Sequence, residues 1–407
     1  MENRVVITGI GIYSCIGENL TEVLDSLKNG KCGIIYDAIR NDFGYRSSLT
    51  GFVKDPDLKP FLSRRERMGM HQPAMFAYMS TKEALENSNL DIDFLDKNET
   101  GIIFGNDSTA GAVIETIDKV REKKDTTLIG SGDIFQNMNC TVNMNLSTIY
   151  KLKGINITLS AACASGSHSI GMGYLLIKQG LQERVICGGA QEINIFAMGS
   201  FDGLGAFSIK QDKPHNASRP FDRDRDGLVP SGGAATVIIE SLESALKRNA
   251  PIYGEIVGYG FSSNGDHISN PNFDGQYRSL NMSLKHAGVS PSEIDYINAH
   301  ATSTIVGDKT EAQVIAEVFG LKIPVSSTKS MTGHECWMAG ASEIVYSLLM
   351  MNNDFIAPNI NFENPDEDSQ KINVVPEYRE KKIDCFLSNS FGFGGTNSSL
   401  IIKKYNP

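Results

Sequence analysis

The sequence predicts an α/β fold, and three observations indicate it. Short runs of β-branched and other apolar residues alternate with longer segments of helical periodicity. The chain has 407 residues, which exceeds one typical domain. Two pairs of weakly similar segments indicate that one half of the chain repeats the other. Together these features predict two similar halves whose largely buried strands are covered by helices.

The predicted strands are short and rich in β-branched residues. In chain order they are RVVITG, TGIIFG, INITLS, ERVICGG and AATVIIE, followed by YGEIVGYG, EIDYINAH, IPVSS, CFLSNS and SSLIIKK. Helical patterns lie between them, and the clearest cover Gln72 to Asn87, Gly171 to Gly180 and Ala339 to Met351. This order is typical of strands and helices that alternate in an α/β domain.

The boundary between the predicted halves lies near Leu242 to Pro251, where the charged helix SLESALKRNAP ends the first half. We therefore divide the chain into residues 1–250 and 251–407. ENSNLDIDFLDKNETGIIFG is echoed by KHAGVSPSEIDYINAH, and INITLSAACASG by IPVSSTKSMTGH. If the halves repeat each other, Cys163 and the turn from Lys329 to His334 occupy equivalent positions and meet at one central site.

Composition and charge argue against several classes of protein. With 38 basic and 48 acidic residues the net charge is −10, so nucleic acid is not expected as a partner, and an acidic partner needs a local basic patch. Seven scattered cysteines without a CxxC pair fit reduced thiols better than disulfides or a metal site. Since no run approaches about 18 apolar residues, we expect no membrane span. Threonine, tyrosine and glycines interrupt the apolar run near the N-terminus, so we expect no signal peptide, and the reduced thiols indicate a cytoplasmic location.

The segment SAACASGSHSIG, from Ser160 to Gly171, surrounds Cys163 with small residues. Gly166, Gly171 and Gly173 fall inside a predicted helix, where each costs about 1 kcal/mol relative to alanine, so we expect this helix to pack closely against another. At the N-terminus of this helix, free amides and the helix dipole lower the pKa of a thiol and can hold an oxyanion. A buried, inert cysteine is the commoner case, and local sequence alone favours it.

Two histidines in distinctive turns are candidate partners for this cysteine, His300 in NAHATST and His334 in STKSMTGHE. Each follows a predicted strand, at the edge where open α/β sheets bind ligands. A single histidine in such a turn is more often structural. Together with Cys163, however, the two form the arrangement that acyl transfer needs, a soft nucleophile beside imidazoles that donate hydrogen bonds or move protons. Lys329 can tune His334, and Glu311 can hold the lysine.

Three other motifs give weaker signals. GIGIYSCIG follows a strand but lacks the third glycine of a dinucleotide-binding loop. DRDRDG, from Asp222 to Gly227, resembles a calcium loop, but Gly233 stands where a bidentate glutamate is required. GFGGTN, from Gly392 to Asn397, lacks the GK pair of a phosphate loop, and we interpret it as a tight turn whose amides approach a ligand.

Nearly the whole chain resembles one known family. After RVVITGIGIYSCIG come SAACASG, RPFDRDRDGLVPSGGAA, NAHATSTIVGDKTEA, STKSMTGH and SNSFGFGGTN, in the order typical of the β-ketoacyl acyl-carrier-protein synthases of fatty acid synthesis. The segment YSLLMMNNDFIAPNINFENPDE is more similar to synthase I than to synthase II. The resemblance implies a thiolase-like duplicated fold, with α/β/α/β/α layers and two mixed sheets.

The resemblance also implies roles for individual residues. The nucleophile falls on Cys163, and the other catalytic positions fall on His300, His334, Lys329, Glu311 and Phe393. The amides of Cys163 and Phe393 then form the oxyanion hole, and the substrate-binding positions are Phe391, Thr302 and Thr304. No organic cofactor or catalytic metal is implied, although some relatives hold a structural monovalent cation near the positions of Asn298, Glu311 and Glu343.

The implied reaction is a ping-pong decarboxylative condensation of malonyl-carrier-protein with an acyl group held on Cys163. The implied partners are acyl and malonyl thioesters, an acidic acyl carrier protein and a second copy of the chain. Two basic patches are candidate docking sites for the carrier, Arg64, Arg65 and Arg67 in SRRER and Arg121, Lys123 and Lys124 in REKK. Either patch is equally consistent with a solvated surface.

The chain departs from the family pattern in two places. Ala301 stands where glycine is usual, and Cys336, Trp337 and Met338 replace small residues after the second histidine. This leaves the length and type of the acyl group open. Three alternatives also stay open: a specialised polyene or polyketide ketosynthase, a thiolase-type enzyme, and a non-catalytic chain-length subunit. The paired histidines argue against a thiolase, and Cys163 argues against a non-catalytic subunit.

Overall fold

The computed structural model describes residues 2–406, so that Met1 and Pro407, the outer ends of the predicted halves, lie outside it. Its strands are β1 (Val5–Ser14), β2 (Ile34–Tyr36), β3 (Leu49–Gly51), β4 (Gly101–Gly105), β5 (Asn156–Leu159), β6 (Arg184–Gln191), β7 (Gly233–Ser241), β8 (Gly254–Ser263), β9 (Tyr296–Asn298), β10 (Pro324–Ser326), β11 (Phe355–Ile356), β12 (Asn373–Val374), β13 (Arg379–Glu380), β14 (Cys385–Gly392) and β15 (Thr396–Lys403). Each of the predicted strands is confirmed.

The α-helices are α1 (Leu20–Asn29), α2 (Ala38–Phe43), α3 (Arg64–Arg67), α4 (Gln72–Asn87), α5 (Ile92–Lys97), α6 (Ala110–Lys123), α7 (Asp133–Gln136), α8 (Thr141–Ile149), α9 (Ser165–Lys178), α10 (Gly199–Gly203), α11 (Leu242–Lys247), α12 (Phe273–Ala287), α13 (Ile305–Phe319), α14 (Lys329–Thr332) and α15 (Ala339–Asn352). The three helices predicted most clearly appear as α4, α9 and α15. Among residues 2–406, no helix is long and apolar enough to cross a membrane.

Eleven strands form one mixed sheet, in the order β12-β10-β9-β14-β15-β8-β1-β7-β6-β4-β5. Strands from the first half of the chain lie on one side of the β1–β8 junction, and strands from the second half lie on the other. Outward from β1 or from β8, each side begins with two antiparallel pairings and continues with parallel ones. This repeated pattern confirms the duplicated α/β fold, whereas the residue boundary between the halves stays a prediction.

The two predicted sheets are joined rather than separate. β1 pairs with β8 only over Val5 to Ile7, opposite Gly254 to Ile256, and this short antiparallel pairing makes the sheet continuous. β1 is buried at every position because it lies in the middle of this sheet and helices cover it. The junction therefore holds the two halves side by side around a shared core.

Helices α9 and α15 pack against each other across the two halves. A Cβ atom on Gly166 would lie 2.9 Å from the backbone nitrogen of Ala341, and one on Gly340 would lie 2.6 Å from that of Ser167. Only glycine leaves room for this approach. The prediction that glycines in the first helix serve close helix packing is therefore confirmed for Gly166, whereas Gly171 and Gly173 allow close approach to strands, to Tyr259 on β8 and to Cys187 on β6.

A short 3-10 turn precedes each of these two helices, Ala162–Ala164 before α9 and Cys336–Met338 before α15. The first residue of each turn, Ala162 or Cys336, has a left-handed φ of 45°. The structural equivalent of Cys163 is therefore Trp337, and the predicted equivalence with the turn from Lys329 to His334 is wrong by a few residues. The reason is that helix α14 is inserted between β10 and the second turn.

Candidate active site

A cavity of about 440 Å³ brings the predicted nucleophile and both predicted histidines together. Cys163 follows β5, His300 follows β9, and His334 follows β10, so all three lie beyond the carboxyl ends of parallel strands. The cavity lining also includes Thr302, Thr304, Glu311, Phe391 and Phe393. Residues from both halves of the chain therefore form one site, as the sequence predicted.

The Cys163 thiol lies in the 3-10 turn just before α9 and is buried. The backbone amides of Phe393 and of Cys163 itself lie close enough to its sulfur to favour the thiolate. Burial nevertheless raises the pKa of the thiol to about 12, although nearby Lys329 and the two amides oppose the rise. The prediction of a lowered pKa at a helix N-terminus is wrong for the unmodified thiol, because desolvation of the thiolate outweighs the amides and the dipole.

The imidazoles of His300 and His334 contact edge to face, with ring centroids 5.4 Å apart. Burial, and then the positive charge of Lys329, holds the pKa of each ring well below its usual value. Both rings are therefore neutral near pH 7 and can act as hydrogen-bond donors or proton acceptors. Within residues 2–406, neither Nδ1 atom has a hydrogen-bond partner.

Lys329 is buried, and its Nζ atom pairs with the carboxylate of Glu343 on α15. The prediction that Glu311 holds this lysine is wrong. Glu311 instead accepts hydrogen bonds from the backbone amides of His300 at 3.0 Å and Ala301 at 2.7 Å. The carboxylate of Glu311, on α13, is turned toward the backbone after β9, so it orders the His300 turn rather than the ammonium group.

Three buried carboxyl groups face this single ammonium group. Burial raises the pKa of Glu311 to about 7, that of Glu335 to about 7 and that of Glu343 to about 8, and Lys329 opposes the rise in each case. Glu335 accepts a hydrogen bond from the Tyr346 hydroxyl at 2.7 Å. Sequence reasoning missed Glu335, although a glutamate directly after His334 was a usable signal. Since three buried negative charges cannot be balanced by one lysine, the cluster holds protons near neutral pH.

Two buried oxygens in this cluster have no hydrogen-bond partner among residues 2–406, Asn298 Oδ1 and Glu343 Oε2. Oxygen ligands of this kind suit a hard cation. The residues present therefore fit the monovalent cation that the resemblance implies. Within residues 2–406, no group of three or more His, Cys, Asp or Glu side chains is arranged to hold a metal ion.

Part of the cavity lining is a turn that a buried carboxylate holds in place. The Thr302 and Thr304 hydroxyl groups lie 3.1 Å apart. Asp308 accepts hydrogen bonds from the backbone amides of both threonines, at 2.9 and 3.2 Å. Sequence reasoning missed Asp308, because one aspartate on a helix carries no signal of what it will contact.

The GFGGTN segment forms the tight turn that the sequence predicted. Gly394 and Gly395 have φ angles of 79° and 74°, which favour glycine. The turn directs the Phe393 amide at the Cys163 sulfur, while the Phe393 ring is partly exposed and Phe391 is nearly buried beside His300. A backbone donor and two aromatic rings therefore reach the cavity from one turn.

The predicted docking residues do not line the cavity. Arg64, Arg65, Arg121, Lys123 and Lys124 are exposed on α3 and at the end of α6. Arg67 is half-buried, and its Nε atom donates to the Leu62 carbonyl at 3.2 Å. Their role in docking stays a prediction.

Comparison with known proteins agrees with this geometry. Residues 2–245 match the N-terminal domain of the beta-ketoacyl synthase family, and residues 253–363 match its C-terminal domain. The 3-oxoacyl-[acyl-carrier-protein] synthase 1 of Haemophilus influenzae is 43% identical over 409 residues, covering 99% of each chain.

Solved structures show the same relationship. A beta-ketoacyl synthase from Burkholderia phymatum STM815 has a TM-score of 0.93 at 33% identity, covering 99% of this chain and 100% of its own. A type II polyketide ketosynthase solved with its acyl-carrier protein and a bound hexaketide has a TM-score of 0.91 at 28% identity, covering both chains fully. The chain therefore belongs to the beta-ketoacyl synthase family and is an acyltransferase of that type.

Proposed function

We propose that the protein is a 3-oxoacyl acyl-carrier-protein synthase that condenses malonyl-carrier-protein with an acyl group held on Cys163. The observation that carries this proposal is the meeting of one thiol and two neutral imidazoles in a single cavity, with two amides at the sulfur. The family membership of the whole chain supports the same reaction.

In the first half-reaction the Cys163 sulfur attacks the thioester carbonyl of an acyl-carrier-protein. The amides of Cys163 and Phe393 donate to the oxygen that becomes negative in the tetrahedral intermediate. The C–S bond to the carrier then breaks, and the thiol proton of Cys163 ends on the departing carrier thiol. Because burial keeps the free thiol protonated, loss of that proton has to accompany the attack.

In the second half-reaction malonyl-carrier-protein occupies the cavity vacated by the first carrier arm. Its carboxylate leaves as CO₂, and the electron pair forms an enolate whose oxygen accepts hydrogen bonds from His300 and His334. Neutral imidazoles suit this role because they stabilise the enolate without protonating it fully. The enolate carbon attacks the acyl carbonyl, and the C–S bond to Cys163 breaks. The product is a 3-oxoacyl thioester longer by two carbons, and the released Cys163 thiolate takes up a proton from solvent to regenerate the thiol.

The surrounding residues serve positioning roles in this proposal. Glu311 holds the backbone of the His300 turn, and the Lys329–Glu343 pair sets the electrostatic potential behind both histidines. Thr302 and Thr304 line the cavity, and in this proposal their hydroxyl groups contact the pantetheine arm of the carrier. A monovalent cation bound by Asn298, Glu311 and Glu343 would offset the buried negative charge of this cluster, and no organic cofactor takes part.

The proposed partners are an acyl carrier protein and a second copy of the chain. The exposed arginines of α3 and the basic end of α6 supply positive charge for an acidic carrier. β5 ends the large sheet, and its Ile157 side chain is 41% exposed, which favours pairing with the same edge of a second copy. A cytoplasmic location remains an expectation from the sequence.

Mass spectrometry of the acylated protein tests the proposal. Incubation with an acyl-carrier-protein or a cysteine-directed acyl mimic is expected to place one adduct on Cys163, and added malonyl-carrier-protein is expected to release a product longer by two carbons. A Cys140→Ser variant is the control, since that cysteine does not line the cavity. Absence of any adduct on Cys163 would contradict the proposed function.

A further inference from the structure

The surroundings of Cys163 differ on two sides. One side is the open cavity that His300, Thr302 and Phe391 line. The other is a packed apolar cluster that contains Cys163 itself, and its other buried members are Met198, Phe207, Leu228, Cys336 and Trp337. On the proposed function, the incoming malonyl thioester needs the open cavity while the acyl group is on the sulfur. The acyl group therefore has to extend into the apolar cluster.

Trp337 closes that side of the sulfur. Phe201 lines the cavity, and its ring tilts against the indole of Trp337 at a centroid distance of 6.2 Å. Phe201 also stacks on Phe207 and on Phe393, at centroid distances of 6.2 and 5.9 Å. These three phenylalanine rings therefore lie between the indole and the open cavity. Among residues 2–406 the buried Nε1 atom of Trp337 has no hydrogen-bond partner, so the ring contributes volume rather than a polar contact.

The backbone at Trp337 has no room to retreat. A Cβ atom on Gly166 would lie 3.0 Å from the Trp337 carbonyl oxygen, and one on Gly189 would lie 2.6 Å from it. Helix α9 and strand β6 therefore press against this turn from two directions. Phe201, in contrast, lies on the short helix α10 between Gly199 and Gly203, whose Cβ positions meet nothing closer than 3.5 Å. The indole of Trp337 is therefore held in place, whereas the Phe201 side chain has room to move.

We propose that Trp337 limits the length of the acyl group accepted on Cys163, so that short acyl thioesters are the substrate class of this enzyme. A chain that passes Phe201 meets the indole, and each further methylene then has to displace a packed ring. A hydrophobic pocket rejects one excess methylene by about tenfold or more, so the limit is sharp.

The test compares acyl primers of graded length, from acetyl through butyryl, hexanoyl and decanoyl to hexadecanoyl, each loaded on carrier protein. The wild-type enzyme is expected to form the Cys163 adduct rapidly with short primers and at least about tenfold more slowly with decanoyl and hexadecanoyl. Trp337→Ala is expected to raise the longest accepted primer length. Trp337→Leu opens less space than the alanine substitution, so it is expected to raise this length less. Leu246→Ala, a truncation of an exposed leucine on α11, is the matched control and is expected to leave the length profile unchanged.

Intrinsic fluorescence gives a second readout without any substitution at position 337, because Trp337 is the only tryptophan in the chain. Acylation of Cys163 by butyryl or hexanoyl is expected to change the tryptophan emission, and Cys163→Ala is expected to show no change. Equal adduct rates for butyryl and hexadecanoyl primers, or emission unaffected by any acyl group, would overturn the role of Trp337. Failure of every primer to acylate Cys163 would instead overturn the proposed function on which this inference rests.

Discussion

The turns before α9 and α15 are two copies of one backbone conformation, and they carry different side chains. Each is a 3-10 turn that begins with a residue at a φ of 45° and leads into a helix of 14 residues. In the first copy the central residue is Cys163, and in the second it is Trp337. Both side chains lie in the same apolar cluster.

The difference between the copies shows that the backbone alone does not make a nucleophile. The Cys163 sulfur is met by the Phe393 amide and lies near Lys329, whereas the indole nitrogen of Trp337 has no hydrogen-bond partner among the described residues. The repeated 3-10 turn directs one side chain from each half toward the centre of the molecule. The loops around that centre then decide whether the side chain reacts or fills space.

The strongest test of this comparison removes the nucleophile from the first copy. Cys163→Ala is expected to lower condensation by about 10⁴-fold or more while leaving the fold intact, as measured by product formation and by thermal unfolding. The double variant Cys163→Ala with Trp337→Cys is expected to restore no activity, because the Phe393 amide serves only the first turn. Activity in the double variant would show that the two copies are interchangeable.

The histidines provide the next largest effect. His334→Ala is expected to reduce malonyl decarboxylation by about 10³-fold, because the enolate loses a hydrogen-bond donor, while Cys163 is still acylated. Release of CO₂ and the mass of the acylated enzyme separate the two steps. If acylation and decarboxylation fell together, the second half of the chain would support both half-reactions rather than one.

Three buried carboxyl groups, those of Glu311, Glu335 and Glu343, lie beside the second copy, and burial raises the pKa of each. Burial raises the pKa of Glu335 from 4.5 to about 7, so between these values the folded state binds more protons than the unfolded state. Stability is therefore expected to fall as pH rises from 5 to 8, by roughly 2 kcal/mol for this group. Chemical denaturation of wild type and Glu335→Gln at several pH values measures this, and the variant is expected to show a shallower slope.

Exposed Glu243, on α11, offers the matched substitution for that comparison. Glu243→Gln is expected to leave the pH slope of the wild type unchanged. A slope equally steep in Glu335→Gln would assign the pH dependence to Glu311 and Glu343 instead.

The smallest expected effect concerns the carrier protein and the first half of the chain. Reversal of charge in Arg64→Glu with Arg65→Glu is expected to raise the apparent KM for carrier-protein substrates several-fold with little change in kcat, because exposed charges act mainly on association. Lys97→Glu reverses the charge of an exposed side chain on α5 and serves as the control. An unchanged KM would remove α3 from the docking surface.

Much of this architecture was predictable from local patterns. α4 begins and ends where its helical periodicity predicts, at Gln72 and Asn87. Cys163, His300 and His334 were found because each stands in a motif of small residues that follows a predicted strand. Glu343 was harder to place, since a glutamate inside a buried helix gives no sign of whether it or Glu311 will reach Lys329.

The sequence by itself determined the α/β class, the duplication, the family and the residues that meet at the centre. These follow from periodicity and from motifs whose members lie close together along the chain. Tertiary structure decided the continuous sheet, the Lys329–Glu343 pair, the raised pKa of Cys163 and the equivalence of Cys163 with Trp337. Each of these depends on burial or on contacts between distant segments, and neither the desolvation of a charge nor the room beside a thiol is written in local sequence.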